Sequence, residues 1–385
     1  MDFVSRFFSA PAQTCFLFGP RGTGKTTWLR HELPEALFLD LLDPRLYRSL
    51  EARPERLREH LAGAPRAATV VIDEIQRVPE LLTVVHAILE EPGPRRFVLT
   101  GSSARKLRRG GVDLLGGRAL HRTLHPFMAA ELPDFDLPRA LANGLLPLVT
   151  GAPDPQSALD GYPSLYLDQE VRTEGLTRNV GDFARFLEAI AFSHGAQLNL
   201  AAVARECEVS RKVVTSYVDI LEDLLLAFRL PVFKKRAKRS TVQHDKFYLF
   251  DAGVFRALRP RGPLDSPQEI DGQALEGLVA QHLRAWASYS KGRSELFFWR
   301  TRAGTEVDFI VYGDHGLQAI EVKNAGRVHP SDLRPLRTFR EEYPEADVVL
   351  LHRGSERRRV DGVWCLPADD FLRNVLPDRG LLAWL

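Results

Sequence analysis

The fold of this chain is decided by one short stretch, Gly19-Pro20-Arg21-Gly22-Thr23-Gly24-Lys25-Thr26. It matches the pattern GxxxxGK[ST], follows an apolar run and opens a segment of helical character. The glycines allow consecutive backbone N–H groups to face one anion, and the helix N-terminus adds its positive end. Lys25 is placed to reach the β- and γ-phosphates, and Thr26 is placed to ligate Mg²⁺. The stretch therefore predicts a nucleotide-binding loop, and we include the following Thr27 in it.

Two acidic residues, Asp73 and Glu74, end the apolar run Val70-Val71-Ile72. A buried strand does not tolerate free carboxylates, so acids at its C-terminal end indicate a ligand crevice. We expect Asp73 to hold Mg²⁺ and Glu74 to polarise the water that attacks the γ-phosphate. A strand-terminal acidic pair without a ligand is the alternative. With the loop upstream, the pair predicts hydrolysis of ATP.

Short apolar runs alternate with helical stretches between residues 14 and 125, which predicts a parallel sheet covered by helices on both faces. The runs are 14–18, 36–41, 68–72, 96–99 and 120–124. Residues 132–163 are rich in Pro, Gly and Ala and are interpreted as an irregular connection. Further on, the pattern predicts helix 272–289, strands 295–300, 306–312 and 317–323, a helix near 331–343 and a strand at 347–351.

Composition limits the class of protein. The 385 residues exceed one ordinary domain, and 44% apolar with 26% charged residues indicate folded cores. The three cysteines lie far apart in sequence, so neither a disulfide framework nor a zinc knuckle is expected, which suits a reducing cytoplasm. The chain starts without the features of a signal peptide, and no apolar run reaches about 18 residues. We therefore expect a cytoplasmic protein without a membrane partner.

The loop and the acidic pair resemble those of AAA+ ATPases, and in particular a bacterial and archaeal branch of them. The resemblance is carried by Asp73-Glu74-Ile75-Gln76 before Pro79 and by Leu99-Thr100-Gly101-Ser102-Ser103. It implies that Ser102 is a sensor that orients the water or the γ-phosphate. It also implies an arginine finger, Arg118 with the help of Arg122, which reaches the ATP of a neighbouring subunit in a hexameric ring. A surface role for Arg118 is the alternative, and the finger role is also open to Arg105, Arg108 and Arg109.

Residues 200–226 predict a helix-turn-helix, with Ser210 as the N-cap of the second helix. The buried stripe of that helix has a helical period and consists of Val213, Val214, Tyr217, Ile220, Leu221, Leu224 and Leu225. Arg211, Lys212 and Ser216 fall outside the stripe, where they are placed to contact DNA.

A basic stretch follows and joins two strand-like segments, 228–233 and 246–250, as the wing of a winged helix does. Seven Lys or Arg residues lie between Arg229 and Lys246, and five of them are predicted DNA contacts: Lys234, Lys235, Arg236, Lys238 and Arg239. A solvated surface loop, and a winged helix used only for packing between domains, are the alternatives. The phrase beginning at Phe247 resembles the domain of unknown function that follows this ATPase branch.

Four residues of the C-terminal part form a second candidate site: Glu276, Asp308, Glu321 and Lys323. Side chains alternate along a strand, so Glu321 and Lys323 share a face, as do Glu306 and Asp308. Two carboxylates can hold Mg²⁺ or Mn²⁺, which lowers the pKa of bound water, and Lys323 can position that water.

The order of these residues resembles the PD-(D/E)xK nuclease superfamily: a helical Glu, a strand Asp, and then Glu-x-Lys on the next strand. The resemblance implies that Glu276, Asp308, Glu321 and Lys323 are catalytic and that Asp308 and Glu321 hold the metal. Val307 precedes Asp308 where the motif has Pro, a departure that many members also show. A decayed nuclease fold used for binding or assembly is the alternative.

Together these patterns predict an α/β protein with a parallel-sheet P-loop domain, a winged-helix module and a restriction-endonuclease-like α/β domain. The predicted domains are 1–131 (ATPase), 132–179 (irregular or helical connection), 180–260 (winged helix) and 268–385 (nuclease-like). The expected cofactors are ATP and Mg²⁺, with Mn²⁺ as a second metal for the nuclease site. The expected function is an ATP-driven motor that acts on double-stranded or branched DNA and cuts it. A nucleotide-switched scaffold and a DNA-binding regulator, each with an inactive nuclease fold, are the alternatives.

Overall fold

The computed structural model describes residues 3–64, 68–93, 95–102, 115–163, 180–234 and 244–385. The chain divides into two compact units. The P-loop unit comprises Phe8–His125 and Ile220–Leu226, and the larger unit comprises Met1–Phe7, Pro126–Asp219 and Ala227–Leu385. Within the described ranges, no helix has the length and apolar character that a membrane crossing requires.

The P-loop unit is built on a five-stranded parallel sheet with the order β2-β3-β4-β1-β5. Its strands are β1 (Cys15–Phe18), β2 (Leu37–Asp40), β3 (Thr69–Asp73), β4 (Arg96–Gly101) and β5 (Leu120–Thr123). Its helices are α1 (Lys25–Glu32), α2 (Pro44–Ala52), α3 (Leu57–Gly63) and α4 (Leu81–Leu89). This confirms the predicted parallel sheet, with strand ends that differ from the prediction by one or two residues.

The central strands of this sheet are buried on both faces, which is why they appear in the sequence as continuous apolar runs. All four residues of β1 are buried, and the rings of Phe16 and Phe18 stack with centroids 5.5 Å apart. Because β1 lies between β4 and β5, the loop after it opens between these two strands at the sheet's carboxyl edge. That edge is where ligands bind in open α/β sheets.

In the larger unit, the described part of the connection 132–179 contains three short helices, so residues 132–163 are more regular than the irregular connection predicted from their Pro, Gly and Ala content. It contains α5 (Leu137–Asn143), α6 (Pro147–Thr150) and α7 (Pro155–Tyr162). Proline lies in the first turn of each helix, where its missing N–H costs no hydrogen bond and its fixed φ suits the helix. Pro147 and Pro155, which looked like breaks in the sequence, therefore begin helices.

The next segment comprises α8 (Val180–Ala191), β6 (Ala196–Gln197), α9 (Leu200–Glu206), α10 (Arg211–Asp223), β7 (Ala227–Leu230) and β8 (Lys246–Leu249). The strands form an antiparallel sheet with the order β6-β8-β7. Ser210 caps α10 as predicted, since its Oγ accepts a hydrogen bond from Val213 N at 3.3 Å. The helix was expected to reach residue 226 but ends at Asp223, because Leu225 adopts the left-handed conformation (φ 60°).

The rest of the larger unit has a mixed six-stranded sheet with the order β13-β14-β12-β11-β10-β9. Its strands are β9 (Ser294–Arg300), β10 (Glu306–Gly313), β11 (Gly316–Lys323), β12 (Asp347–His352), β13 (Arg358–Val360) and β14 (Val363–Pro367). Its helices are α11 (Ala252–Leu258), α12 (Pro267–Tyr289), α13 (Arg334–Glu342) and α14 (Ala368–Asn374). The helix and strand pattern predicted for 272–351 is present, and α12 begins five residues earlier than predicted because Ser266 caps it and Pro267 is its first residue.

A β-bulge in β10 positions the candidate residues of this sheet. The register of β10 against β9 shifts between Val307 and Ile310, and Asp308 lies within the shift. Bulges commonly change the direction of a side chain near functional sites. On its other side β10 pairs antiparallel with β11, which brings Asp308 next to the backbone of Val322.

Candidate functional site

The backbone of the nucleotide-binding loop adopts conformations that glycine allows and other residues disfavour. Gly22 and Gly24 adopt positive φ angles of 86° and 82°. A Cβ atom at Gly19 would lie 2.6 Å from the carbonyl oxygen of Leu124, so a larger residue does not fit there. Helix α1 begins at Lys25 without a side-chain cap and without an acidic residue in its first turn. Its first N–H groups are therefore oriented for an external anion.

Lys25 is held inside this loop, with only 8% of the residue exposed. Its Nζ donates hydrogen bonds to the carbonyl oxygens of Gly19 at 2.6 Å and Pro20 at 3.2 Å. Both acceptors belong to the loop itself. An arriving phosphate can therefore exchange these neutral acceptors for charged oxygens, which bind an ammonium more strongly.

Asp73 joins the loop to the neighbouring strand tips. Its Oδ2 accepts a hydrogen bond from the Thr26 hydroxyl at 2.6 Å, and its Oδ1 accepts one from the Thr100 hydroxyl. A hydroxyl and a carboxylate side by side are the oxygen ligands that Mg²⁺ prefers, so Thr26 and Asp73 fit this metal. This contact of Thr100 was not predicted, although Thr100 lies two residues before Ser102 and therefore on the same side of an extended chain.

Glu74 has a strained backbone conformation. Its backbone lies in the left-handed region (φ 62°, ψ 43°), which is uncommon for a residue other than glycine. Its Oε2 accepts a hydrogen bond from Gln76 Nε2 at 2.5 Å. Burial raises the pKa of the Glu74 carboxyl, and the nearby Lys25 ammonium opposes that shift. The carboxyl is thus held beside Asp73 with its basicity increased, and Gln76 is a second contact that the sequence analysis missed.

The residues assigned a sensor or finger role lie in different environments. Ser102 is buried (5% exposed) just after β4, whereas Arg118 is exposed and forms an ion pair with Glu90 at 2.6 Å. Arg122 donates from Nη1 to the carbonyl oxygen of His121 at 3.2 Å. The competing candidates Arg105, Arg108 and Arg109 lie outside the described residues. The sensor and finger roles stay predictions.

Residues 12–132 of this chain match the family model of an AAA domain. This part of the chain is therefore similar to an AAA domain, and we refer to it as the AAA domain. The AAA domain is followed by matches to two domains of unknown function, DUF8612 over residues 134–265 and DUF4143 over residues 271–371. The glycine loop, Asp73 and Glu74 all lie within the AAA domain, which indicates an ATPase and implies a nucleotide with Mg²⁺.

Two mycobacterial proteins are similar to this chain over most of its length. An uncharacterized protein of Mycobacterium tuberculosis and one of Mycobacterium bovis are each 28% identical to it over 387 residues. Each alignment covers 97% of this chain and 84% of the relative. The similarity therefore extends beyond the AAA domain into both domains of unknown function.

The second candidate site lies in the larger unit, where the structure brings together two of the four predicted residues, Glu276 and Asp308, with Glu306 and a lysine that was not predicted. Lys246, the first residue of β8, is 2% exposed. Its Nζ contacts the carboxylates of Glu276 at 3.0 Å, Glu306 at 2.7 Å and Asp308 at 3.0 Å. Glu306 and Asp308 meet the same ammonium, as their shared strand face predicts. Tyr248, two residues along β8, donates its hydroxyl hydrogen to Glu276 at 2.6 Å.

The remaining predicted pair, Glu321 and Lys323, lies at the end of β11. Lys323 Nζ donates to Glu321 Oε1 at 2.6 Å, and Glu321 is 3% exposed. The other carboxylate oxygen of Glu321 has no hydrogen-bond partner among the described residues. Burial and the nearby charge of Asp308 raise the pKa of Glu321 to about 8, and the same two causes raise the pKa of Glu276 to about 7.

These side chains do not fit the predicted magnesium or manganese site at Asp308 and Glu321. Oxygens of Asp308 already bind the Lys246 ammonium and the backbone N–H of Val322, the latter at 2.9 Å. Across the described part of the chain, no group of three or more His, Cys, Asp or Glu side chains is arranged to hold a metal ion. The contacts between Lys246 and these carboxylates were not predicted, because Lys246 was counted among the basic residues of the wing.

The predicted DNA contacts are partly described. Arg211 and Lys212 are exposed at the start of α10, and Ser216 is exposed one turn later. Lys234 is exposed as well. The other predicted contacts lie outside the described residues: Lys235, Arg236, Lys238 and Arg239.

We predict that the stability of the chain falls as pH rises from about 7 to 8.5, and that Glu321→Gln reduces this fall. A carboxyl whose folded pKa is raised binds more protons in the folded state, so stability decreases as pH rises through that pKa. One such group contributes at most about 1.4 kcal/mol per pH unit. Over this range His194 and His282, whose pKa burial lowers to about 3 and about 4, stay neutral when folded.

Thermal unfolding followed at steps of pH measures this slope. Glu342→Gln, at an exposed position of the same unit, is the matched control and should keep the wild-type slope. Equal slopes for wild type and Glu321→Gln would show that Glu321 is ionised throughout this range.

Proposed function

We propose that this chain is an ATP-hydrolysing AAA protein that acts on DNA. The observation that carries the ATPase part is the contact between the Thr26 hydroxyl and the Asp73 carboxylate at 2.6 Å, directly beside Glu74. It joins the glycine loop to the acidic strand tip, which is the arrangement that phosphoryl transfer needs.

The roles of the side chains follow from their positions. Lys25 neutralises charge on the transferred phosphate, and the loop N–H groups orient the triphosphate. Thr26 and Asp73 would hold Mg²⁺, which supplies charge neutralisation on the phosphates. Glu74 polarises the attacking water and is oriented by Gln76, while Thr100 fixes the Asp73 carboxylate.

We predict that Glu74→Gln abolishes hydrolysis but retains ATP binding, because it removes the base and keeps the size of the side chain. Turnover should fall by about 100-fold or more. Lys25→Ala should instead weaken binding itself. Phosphate release and titration with a labelled nucleotide measure the two effects. Glu80→Gln, at an exposed position close by, is the control that should hydrolyse ATP normally. Wild-type turnover in Glu74→Gln would refute the assigned role.

We further propose that the AAA domain assembles as a hexameric ring in which Arg118 reaches the nucleotide of a neighbour. Its side chain is exposed and contacts Glu90 of its own chain, so it is accessible for a partner. The charge of a guanidinium stabilises the transition state when it reaches the phosphates from outside the site.

We predict that Arg118→Ala loses ATPase activity and regains part of it when mixed with Lys25→Ala. Arg118→Ala keeps an intact nucleotide-binding loop but lacks the arginine finger. Lys25→Ala supplies the finger to its neighbour although its own nucleotide site is inactive. Steady-state turnover of the mixture, compared with each variant alone, is the measurement. Glu90→Ala removes the partner of Arg118 on its own chain and should stay active. Unchanged turnover in Arg118→Ala alone would identify it as a surface residue.

DNA is proposed as the partner because exposed cations occupy the start of α10. Arg211 and Lys212 begin the second helix of the helix-turn-helix pattern, and the wing follows it. Helices in this arrangement place their first residues against the DNA. Phosphate contacts would then dominate the affinity, whether the DNA is double-stranded or branched.

We predict that Arg211→Ala combined with Lys212→Ala weakens DNA binding similarly for all sequences. The slope of log affinity against log salt should decrease by about 2, since each lost phosphate contact removes about 0.9 to 1. Fluorescence anisotropy with a labelled duplex at several salt concentrations measures it. Lys291→Ala combined with Arg302→Ala removes two other exposed cations and should leave the slope unchanged. An unchanged slope in the first variant would exclude α10 as the contact.

A nucleotide-switched scaffold is the second candidate, favoured by the ion-paired cluster of Lys246 in the nuclease-like domain. In this function ATP controls the binding of a partner, and the carboxylates stabilise a fold that does not cut DNA. Stimulation of the ATPase by DNA distinguishes the candidates, because a motor on DNA requires it and a scaffold does not. Cleavage of a panel of DNA structures with Mg²⁺ or Mn²⁺, absent in Asp308→Ala, would instead support the nuclease function.

A further inference from the structure

The Lys246 ammonium has as many carboxylate partners as it has hydrogens. A lysine ammonium donates three hydrogen bonds, and here Nζ lies 2.7 to 3.0 Å from Glu276, Glu306 and Asp308. The partners come from two elements, α12 and β10, and they lie 30, 60 and 62 residues from Lys246 in sequence. The ammonium is therefore the centre of a three-dimensional cluster.

The cluster is made of the same carboxylates that a divalent cation would need. Asp308 gives one oxygen to Lys246 and the other to the Val322 N–H, and Glu276 also accepts from Tyr248. A metal ion on these oxygens would lie within a few ångströms of a full positive charge. In a buried site that repulsion is screened weakly, so the ammonium and a metal ion exclude each other.

The lysine is fixed in this place by the strand that carries it. Lys246 pairs with Leu230 of β7 and with Gln197 of β6, so its backbone is held on both sides. Its Nζ also lies 5.8 Å from the centroid of the Phe298 ring. With 2% of the residue exposed, the ammonium is enclosed.

One buried carboxylate oxygen at this site makes no hydrogen bond within the described residues. Glu321 Oε2 is buried and has no hydrogen-bond partner among the described residues, while Oε1 binds Lys323. Without the ammonium, the cluster would offer carboxylates from α12, β10 and β11 to a cation. Oxygen ligands of this kind suit Mg²⁺, Mn²⁺ and Ca²⁺.

We propose that the Lys246 ammonium takes the place of a divalent cation in this carboxylate cluster, and that removing it converts the cluster into a divalent-cation site. The nuclease-like domain then binds no Mg²⁺ or Mn²⁺ at Asp308 in the wild-type chain. Its carboxylates are compensated by a permanent internal cation.

Manganese binding to the full-length, nucleotide-free chain tests this proposal. Free Mn²⁺ has a strong electron paramagnetic resonance signal that is lost on binding, so a titration counts bound ions. Wild type and Asp308→Asn should bind the same number. Lys246→Ala should bind about one more Mn²⁺ per chain, and the gain should disappear in Lys246→Ala combined with Asp308→Asn. Binding elsewhere in the chain, including the AAA domain, cancels in these differences.

A second measurement covers the case in which Lys246→Ala folds poorly. Loss of the ammonium leaves buried carboxylates uncompensated, so its unfolding temperature should fall. Millimolar Mn²⁺ should restore part of that loss in Lys246→Ala and none of it in the double variant. Lys323→Ala is the matched control, since it removes the other ammonium of the cluster and keeps Lys246; it should gain no Mn²⁺. The proposal is overturned if wild type binds an Mn²⁺ that Asp308→Asn loses, or if Lys246→Ala shows neither extra binding nor recovery.

Discussion

Charge that is buried must be compensated, and this constraint shapes both candidate sites. Each site collects charged groups in places closed to water, where an isolated charge costs several kcal/mol or more. In the P-loop unit the buried Asp73 carboxylate is compensated by hydroxyl groups of Thr26 and Thr100. In the larger unit the carboxylates around Asp308 are compensated by the ammonium of Lys246. The compensating group decides which ligand each site can accept.

Hydroxyl groups and an ammonium differ in how easily a cation replaces them. The donors on Asp73 are neutral hydroxyl groups, so an incoming metal ion displaces or shares their hydrogen bonds and does not have to remove a charged donor. Thr26 can itself remain as a ligand through its oxygen. At Asp308 the compensating group is a full positive charge on an enclosed side chain, and a metal ion would have to remove it. Similar carboxylates at strand ends therefore have different chemistry, because their neighbours carry different charge.

The parts of the molecule that the sequence predicts well are those in which neighbours in space are also neighbours in the chain. The loop from Gly19 to Thr26 is contiguous, and the parallel sheet follows from buried apolar runs. Strand alternation correctly placed Glu306 and Asp308 on one face, since both reach the same ammonium. The prolines of residues 132–163 were misinterpreted because proline ends one helix and begins another equally well, and only the flanking structure decides. Lys246 could not be assigned, because its partners lie at least 30 residues away and its charge was grouped with that of the basic stretch before it.

That misassignment has a physical consequence for the basic stretch as a whole. The sequence places Lys246 in one group with the cations of the wing, yet burial separates it from Lys234, which is exposed. Salt at about 0.15 M screens exposed charges over about 8 Å but leaves enclosed pairs largely intact. A cation that binds DNA must exchange its counterions with solvent, and an enclosed ammonium cannot do so. In the proposed DNA-binding function, the electrostatics of binding therefore belong to the exposed residues, while Lys246 contributes its charge to the interior of the fold.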